Sequence, residues 1–453
     1  MMNIKLPPEV EANPLSIIAG NCPDKLESYL EFLAPTDKKG RYLHFDELRH
    51  RIDSSLDPKL VWSLVRLARN RQQVKIIKLG EPRVPCHYVL TPLIQKALSE
   101  TDRNTTSACL EWISSKIGEK AHMEYLLNDL IEDESISSSQ LEGAATTTKV
   151  AKELLKRNRK PRSEDEKMIL GNYKLMLAAW EKRTEPLSLD LIRELHQIGV
   201  EGIKDDVYAP GAFRKSNDVH IVDPDGNVVH TPPPFETLKT RLKSIVEWAN
   251  NDHEENEDST YLHPLIKAIT LHFCIGYEHP FNDGNGRVAR GLFYWYMFKK
   301  DYAAFRYISI SVLLKKMATK YGKSYLYTET DDMDITYFIE LQSSVVIHAM
   351  DKFKSSYKNT AVEIEEFNKW LWASGLYKKL NDKQRTVFQV AKSGQAIIFT
   401  IRNVEHNLGC SYNTASSVLN GLVKLNLFTK FKEGREWLYV MEDKDNIIKH
   451  WDS

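Results

Sequence analysis

His279-Pro-Phe-Asn-Asp-Gly-Asn-Gly-Arg-Val-Ala-Arg290 is the stretch from which this sequence is best read. A helical apolar pattern, His263–Tyr277, runs up to it, and another, Arg287–Lys300, leaves it. Its glycines therefore stand just ahead of a helix N-terminus, where free backbone N–H groups and the helix dipole favour an anion. Glycine also lets the backbone approach a phosphate closely. Arg287 and Arg290 are three apart, hence on one helix face. Arginine supplies permanently charged, bidentate donors to phosphate. Asp283 is a hard oxygen donor placed to hold Mg²⁺ against phosphates. His279, on the near side of the loop, is suited to take a proton from an attacking hydroxyl. Phe281 is expected to anchor the loop in the core. The stretch reads as a nucleotide-phosphate site with a general base.

The bulk numbers agree with a folded, soluble chain. The 453 residues are 42% hydrophobic and 27% charged, with 62 Lys+Arg against 62 Asp+Glu. Such a neutral chain is no general polyanion binder, so a basic patch must be local. Five scattered cysteines with no CxxC pair fit free thiols better than a disulfide framework or a zinc site. The first residues lack the apolar core of a signal peptide, and no apolar run reaches the ~20 residues of a membrane span. These features point to a cytoplasmic protein with no membrane partner.

Outward from the loop, helices are expected over Ser163–Arg183, Ser188–Gly202, Phe235–Asn250, Ile310–Tyr321 and Asp334–Phe353. A further helical pattern begins near Ala108 and carries Leu110, Ile113, Ile117, Met123, Leu126, Leu127, Leu130 and Ile131. Between Tyr208 and Pro234, Val219–Val222 and Val228–His230 read as short strands around the turn signal Asp223-Pro-Asp-Gly-Asn227. In residues 1–100, Leu60–Leu67 suits a helix. Val74–Leu79 suits a short strand, which Pro82 and Pro85 would end.

After Asn381 the pattern is helix (Asp382–Lys392), helix (Thr400–Asn407), helix (Ser411–Leu425) and two alternating strands, Phe428–Lys432 and Glu436–Val440. That is a winged helix-turn-helix outline. Residues 378–440 hold ten Lys/Arg and four Asp/Glu, a local charge of +6. Tyr412 and Asn413 would be the readers if its third helix met base edges. DNA contact and protein contact both fit, and an alternative in which the chain is a DNA-binding regulator, with the phosphate site as its sensor, stays open.

His279–Arg290 matches HxFx(D/E)GNGRxxR, and the chain resembles the Fic (Fido-fold) proteins. The resemblance covers about residues 105–355 and includes Pro210-Gly-Ala-Phe-Arg-Lys-Ser-Asn-Asp-Val-His-Ile-Val222, which looks like the family's flap. It implies a mainly α fold: a helical core with a β-hairpin flap, an N-terminal mostly helical extension (1–104), a linker or helix (356–380) and a C-terminal winged helix-like domain (381–453). It implies AMP transfer from ATP, with Mg²⁺, to a Ser, Thr or Tyr hydroxyl of a target protein. His279 would be the catalytic base and Asp283 the metal ligand. ATP would meet Glu142, Val219, His220, Ile221, Val222, Asp283, Gly284, Asn285, Gly286, Arg287, Val288, Ala289, Arg290 and an adenine-side Tyr321. The strand Val219-His220-Ile221-Val222 would pair with the target peptide.

Ser138-Ser-Gln-Leu-Glu142-Gly143 fits the family's inhibitory (S/T)xxxE(G/N) helix, about residues 122–143, placed before the main motif. Ser138 and Glu142 are i,i+4 and share a face, and Gly143 resembles a helix C-cap. The resemblance implies that Glu142 pairs with Arg290 and blocks productive ATP binding. It also leaves de-AMPylation, with Glu142 positioning water, as an alternative, and homodimerisation open.

Overall fold

The computed structural model describes residues 4–111, 132–156, 160–203, 209–222, 226–252, 261–392, 398–433 and 436–452. These fall into two compact units. One holds the described residues within Met1–Ser107 and Leu130–Asp351; the other holds those within Ala108–Asp129 and Lys352–Ser453. Most of the expected helical pattern after Ala108, and the first half of the expected inhibitory helix, lie outside the described residues. So do residues 223–225 of the flap turn. No helix among the described residues is long and apolar enough to cross a membrane.

The first unit is mainly helical, and its centre is a helix pair. Pro264–Glu278 is buried along nearly its whole length, and so is most of Asn285–Lys299. Helices apolar on every side belong in a core. The flanking helices Glu164–Glu181 and Leu189–Gly199 each start at a serine whose hydroxyl accepts a backbone N–H: Ser163 from Glu166 and Ser188 from Leu191. Such caps satisfy a donor that a helix start leaves orphaned.

The strand expected over Val74–Leu79 is present with those bounds, and it pairs antiparallel with a second strand, Val84–Tyr88, in which Pro85 stands opposite Lys78. Both strands of a two-stranded ribbon are edges, so a missing N–H is tolerated there. The helix expected over Ile310–Tyr321 breaks at Met317 (φ −122°), whose N–H closes onto Leu314 O; a second helix, Ala318–Thr330, then carries Tyr321. The helix expected to end at Phe353 continues, spanning Thr336–Ala373.

The second unit carries helices Asp382–Lys392, Ile401–Leu408 and Tyr412–Lys424 around a core that includes Phe388, Val404, Val418, Leu419 and Leu422. Its strands Phe428–Glu433 and Glu436–Met441 match the sequence reading. A third strand, Ile398–Phe399, had no sequence signal long enough to register and pairs antiparallel with Glu436–Met441. The sheet order is therefore first strand, third strand, second strand.

Candidate active site

The loop is set by the two ends it joins. Pro264–Glu278 stops at His279, which adopts a left-handed conformation (φ 46°, ψ 61°). A residue before proline is disfavoured in the helical region, and Pro280 follows. Phe281 is fully buried and stacks on His196 with ring centroids 3.7 Å apart. The Asn285 amide closes the turn, its Oδ1 accepting from Phe281 N and its Nδ2 donating to Phe281 O, each at 2.8 Å. Gly284 caps the next helix at φ 81°, which explains the glycine. That helix begins at Asn285, two residues earlier than the pattern suggested.

Beside the loop is a cavity of about 310 Å³ lined by Glu142, His230, His279, Asn285, Gly286, Arg290, Tyr321, Tyr325 and Glu329, among others. This is at the lower end of the range for small-molecule sites. Among the expected site residues, His279, Glu142, Ile221, Asn285, Gly286, Arg290 and Tyr321 meet here. Val288 and Ala289 instead pack into the core, and Val222 is exposed. Val219, His220, Asp283, Gly284 and Arg287 do not line the cavity. Arg287 is buried and donates from Nη1 to Gly199 O at 2.8 Å, bracing the start of its helix against the end of Leu189–Gly199.

Arg290 is the centre of the charge arrangement. Its guanidinium is 1% exposed and donates from Nη2 to Glu142 Oε1 at 2.8 Å. Nε donates to Ser138 Oγ at 2.8 Å, and Nη2 to Ser138 O at 3.1 Å. Residues 132–141 are helical, and Gly143 (φ 98°) ends the turn, with Ala144 N donating back to Ser139 O. This geometry aims Glu142 over the glycine loop: a Cβ on Gly286 would collide with its carboxylate. Burial opposes ionisation of Glu142, but the Arg290 charge and hydrogen bond prevail and hold its pKa below the usual carboxylate value.

His279 is held neutral. Burial lowers its pKa to about 4, with smaller opposing contributions from Gly276 O and Glu142. A neutral imidazole can accept a proton at physiological pH. Its backbone is pinned by Arg214, whose Nε donates to His279 O at 2.9 Å while its backbone N donates to Pro280 O. Arg214 also holds Ser216 O and Pro233 O, tying the loop to the base of the flap.

Several groups at the site escaped the sequence reading. His196 accepts from Gly211 N on Nδ1 and donates from Nε2 to Asp283 O at 3.0 Å; burial lowers its pKa to about 4. His230 of the flap faces two acceptors, Glu329 Oε2 and Tyr277 O, both at 2.8 Å. Despite burial, the Glu329 carboxylate raises the His230 pKa. Tyr321 hydroxyl is bonded to buried His272 at 2.8 Å. Only Tyr321, Tyr325 and Glu329, at i, i+4 and i+8, had a readable signal, a helical stripe that the expected helix end at Tyr321 cut short.

The sequence pattern of the Fic/DOC family matches residues 186–297, which include the loop, the flap and both central helices. The chain carries a Fic/DOC domain. The protein adenylyltransferase Fic of Nematostella vectensis is 33% identical over 109 residues, 24% of this chain and 22% of that one. The protein adenylyltransferase fic-1 of Caenorhabditis elegans is 35% identical over 109 residues, 24% and 19% of the two chains. A uridine 5'-monophosphate transferase of Xanthomonas campestris pv. campestris is 29% identical over 120 residues, 26% and 22%. The match thus spans about a fifth of the length of these relatives, all of it on the Fic/DOC domain. Among solved structures, a Fic family protein from Desulfovibrio desulfuricans G20 aligns with 78% of this chain and 97% of its own, at 16% identity and a TM-score of 0.49.

Proposed function

We propose that the Fic/DOC domain moves AMP from ATP to a Ser, Thr or Tyr hydroxyl of a target protein and of itself, and that Glu142 keeps the site shut at rest. The observation that carries this reading is the Glu142–Arg290 pair lying over Gly286 within the cavity that holds neutral His279. In the reaction, His279 takes the hydroxyl proton as the oxygen bonds to the α-phosphorus, and the bond to pyrophosphate breaks. Arg290 and the amides at the start of Asn285–Lys299 stabilise phosphate charge. With Glu142 on Arg290, that charge site is taken.

Among the described residues, no group of three or more His, Cys, Asp or Glu forms a metal cage. Asp283 offers one hard carboxylate, which fits Mg²⁺, an ion that takes its other ligands from phosphates and water. When bound, Mg²⁺ would offset phosphate charge; Asp283 would orient it. Ile221, which belongs to a two-stranded ribbon and also lines the cavity, supports target docking by strand addition. The same Glu142 beside His279 supports removal of AMP from a target as a second reading.

The test is incubation of wild type, Glu142→Gly and His279→Ala with each α-labelled NTP. Label from ATP on Glu142→Gly, little on wild type and none on His279→Ala is the expected outcome. Label from UTP in place of ATP would replace the AMP assignment. Release of AMP from a labelled target by wild type, lost in Glu142→Gly, would select the second reading.

A further inference from the structure

We infer that the second unit is a winged helix that binds duplex DNA, with helix Tyr412–Lys424 in the major groove and the hairpin Phe428–Met441 on the phosphates. The order helix, strand, helix, helix, strand, strand, with the short first strand beside the third, is the arrangement that lays a wing next to the third helix. Helices Ile401–Leu408 and Tyr412–Lys424 are joined by three residues, and Gly409 (φ 55°) makes the turn. This is the helix-turn-helix connection. Ser411 caps the third helix, its hydroxyl accepting from Thr414 N.

The third helix is two-sided. Ala415, Val418, Leu419 and Leu422 are buried, while Tyr412, Asn413 and Ser417 are exposed. The exposed side bears only neutral polar groups in its first turns, which suits contact with base edges. Asn413 has the donor and acceptor pair that reads adenine.

Cations frame this face. Lys430 pairs across the hairpin with Tyr439, and Lys432 with Trp437, so all four share one side of the ribbon. That side adjoins the third helix, because Lys430 Nζ donates to Asn420 Oδ1 at 3.0 Å. Arg402, exposed on the second helix, lines a groove with Tyr412, Glu436 and Trp437. Three exposed cations therefore stand beside the polar helix face, and among the described side chains lining the groove with Arg402 the carboxylate is that of Glu436. Phosphate contacts of this kind give affinity, and the helix side chains give sequence preference. The mixture of exposed cations with small neutral polar groups on the third helix favours a phosphate-lined groove over a protein partner.

The test uses the full chain and a labelled duplex of about 30 base pairs, on the order of three helical turns. Fluorescence anisotropy is read from ~50 to ~200 mM salt, the range in which phosphate contacts show themselves. Wild type is expected to bind, with affinity falling steeply as salt rises. The variant Arg402→Ala/Lys430→Ala/Lys432→Ala is expected to bind at least tenfold more weakly, with a log–log salt slope shallower by about 3. A control that removes three exposed cations of the first unit, Lys75→Ala/Lys78→Ala/Lys96→Ala, should bind as wild type does, and both variants should melt like wild type. Absence of duplex binding at ~50 mM salt, equal weakening by the control, or binding of single strands alone would overturn the inference. Auto-labelling is independent of it and should be the same in the triple variant.

Discussion

Replacing Glu142 by glycine should raise auto-labelling about ten- to a hundredfold. The figure follows from the pair the substitution removes. Arg290 is 1% and Glu142 22% exposed, and the two meet at 2.8 Å. A hydrogen bond between charged partners in such a setting contributes about 1.5–3 kcal/mol. With a factor of ten for every ~1.4 kcal/mol, the closed state loses about ten- to a hundredfold of its advantage. The protein should survive, because Arg290 keeps Ser138 Oγ and Ser138 O as acceptors. Those contacts spare it the ~3–5 kcal/mol that follows when a buried charge loses its only partner. The assay is initial-rate labelling from α-labelled ATP, with Glu142→Gly/His279→Ala as blank. Ser138→Ala, which removes one acceptor and leaves the ion pair, should give a smaller rise. If Glu142→Gly melts cooperatively yet labels within twofold of wild type, the occupancy argument fails.

Four further outcomes are expected. The labelling rate of Glu142→Gly should show no inflection between pH 5.5 and 8, because burial keeps the His279 pKa at about 4 and the base is already neutral; an inflection near the ordinary histidine value of 6.5 would contradict that. Wild type should not be activated by mild acid over the same range, since Arg290 holds Glu142 ionised against its burial, and the pair is lost only as pH falls through that lowered value. The melting temperature should fall as pH drops below 6.5, since burial lowers the pKa of His44 (to about 3), His87, His196 and His279 (each of the latter two to about 4) and of His272, a larger set than the one opposing shift, His230 raised by Glu329, among the described residues. Stability from a lowered histidine is complete above its unfolded pKa and is lost on the way down to its folded one. Finally, Arg241→Met should cost about 3–5 kcal/mol in urea unfolding, because it takes the cationic partner from the fully buried Glu278, whose Oε2 accepts from Arg241 Nε at 2.7 Å, and leaves it the Gly80 N–H at 3.2 Å.

How much of this was legible in the sequence depended on the range of the interaction. Caps, turns and periodicity are local, so Ser163, Ser188 and Ser411 marked helix starts, and the glycines of His279–Arg290 marked a turn ahead of a helix, which begins at Asn285. The Fic/DOC domain was legible for the same reason: twelve consecutive residues build most of the loop. Strand Ile398–Phe399 was missed because two residues carry no period, and only its pairing with Glu436–Met441 makes it a strand. Pro85 misled because tolerance of proline depends on whether a strand is an edge, which is a property of the sheet.

Sequence alone was enough to pick out the groups proposed to react and the turn that presents them. Tertiary structure alone decided their state. His279 is neutral because its burial penalises the charged form, Arg214 pins its carbonyl from 65 residues away, and Arg290 meets a carboxylate 148 residues distant in the chain. Burial and charge act through space, and no local pattern of residues can encode what will stand on the other side of the cavity.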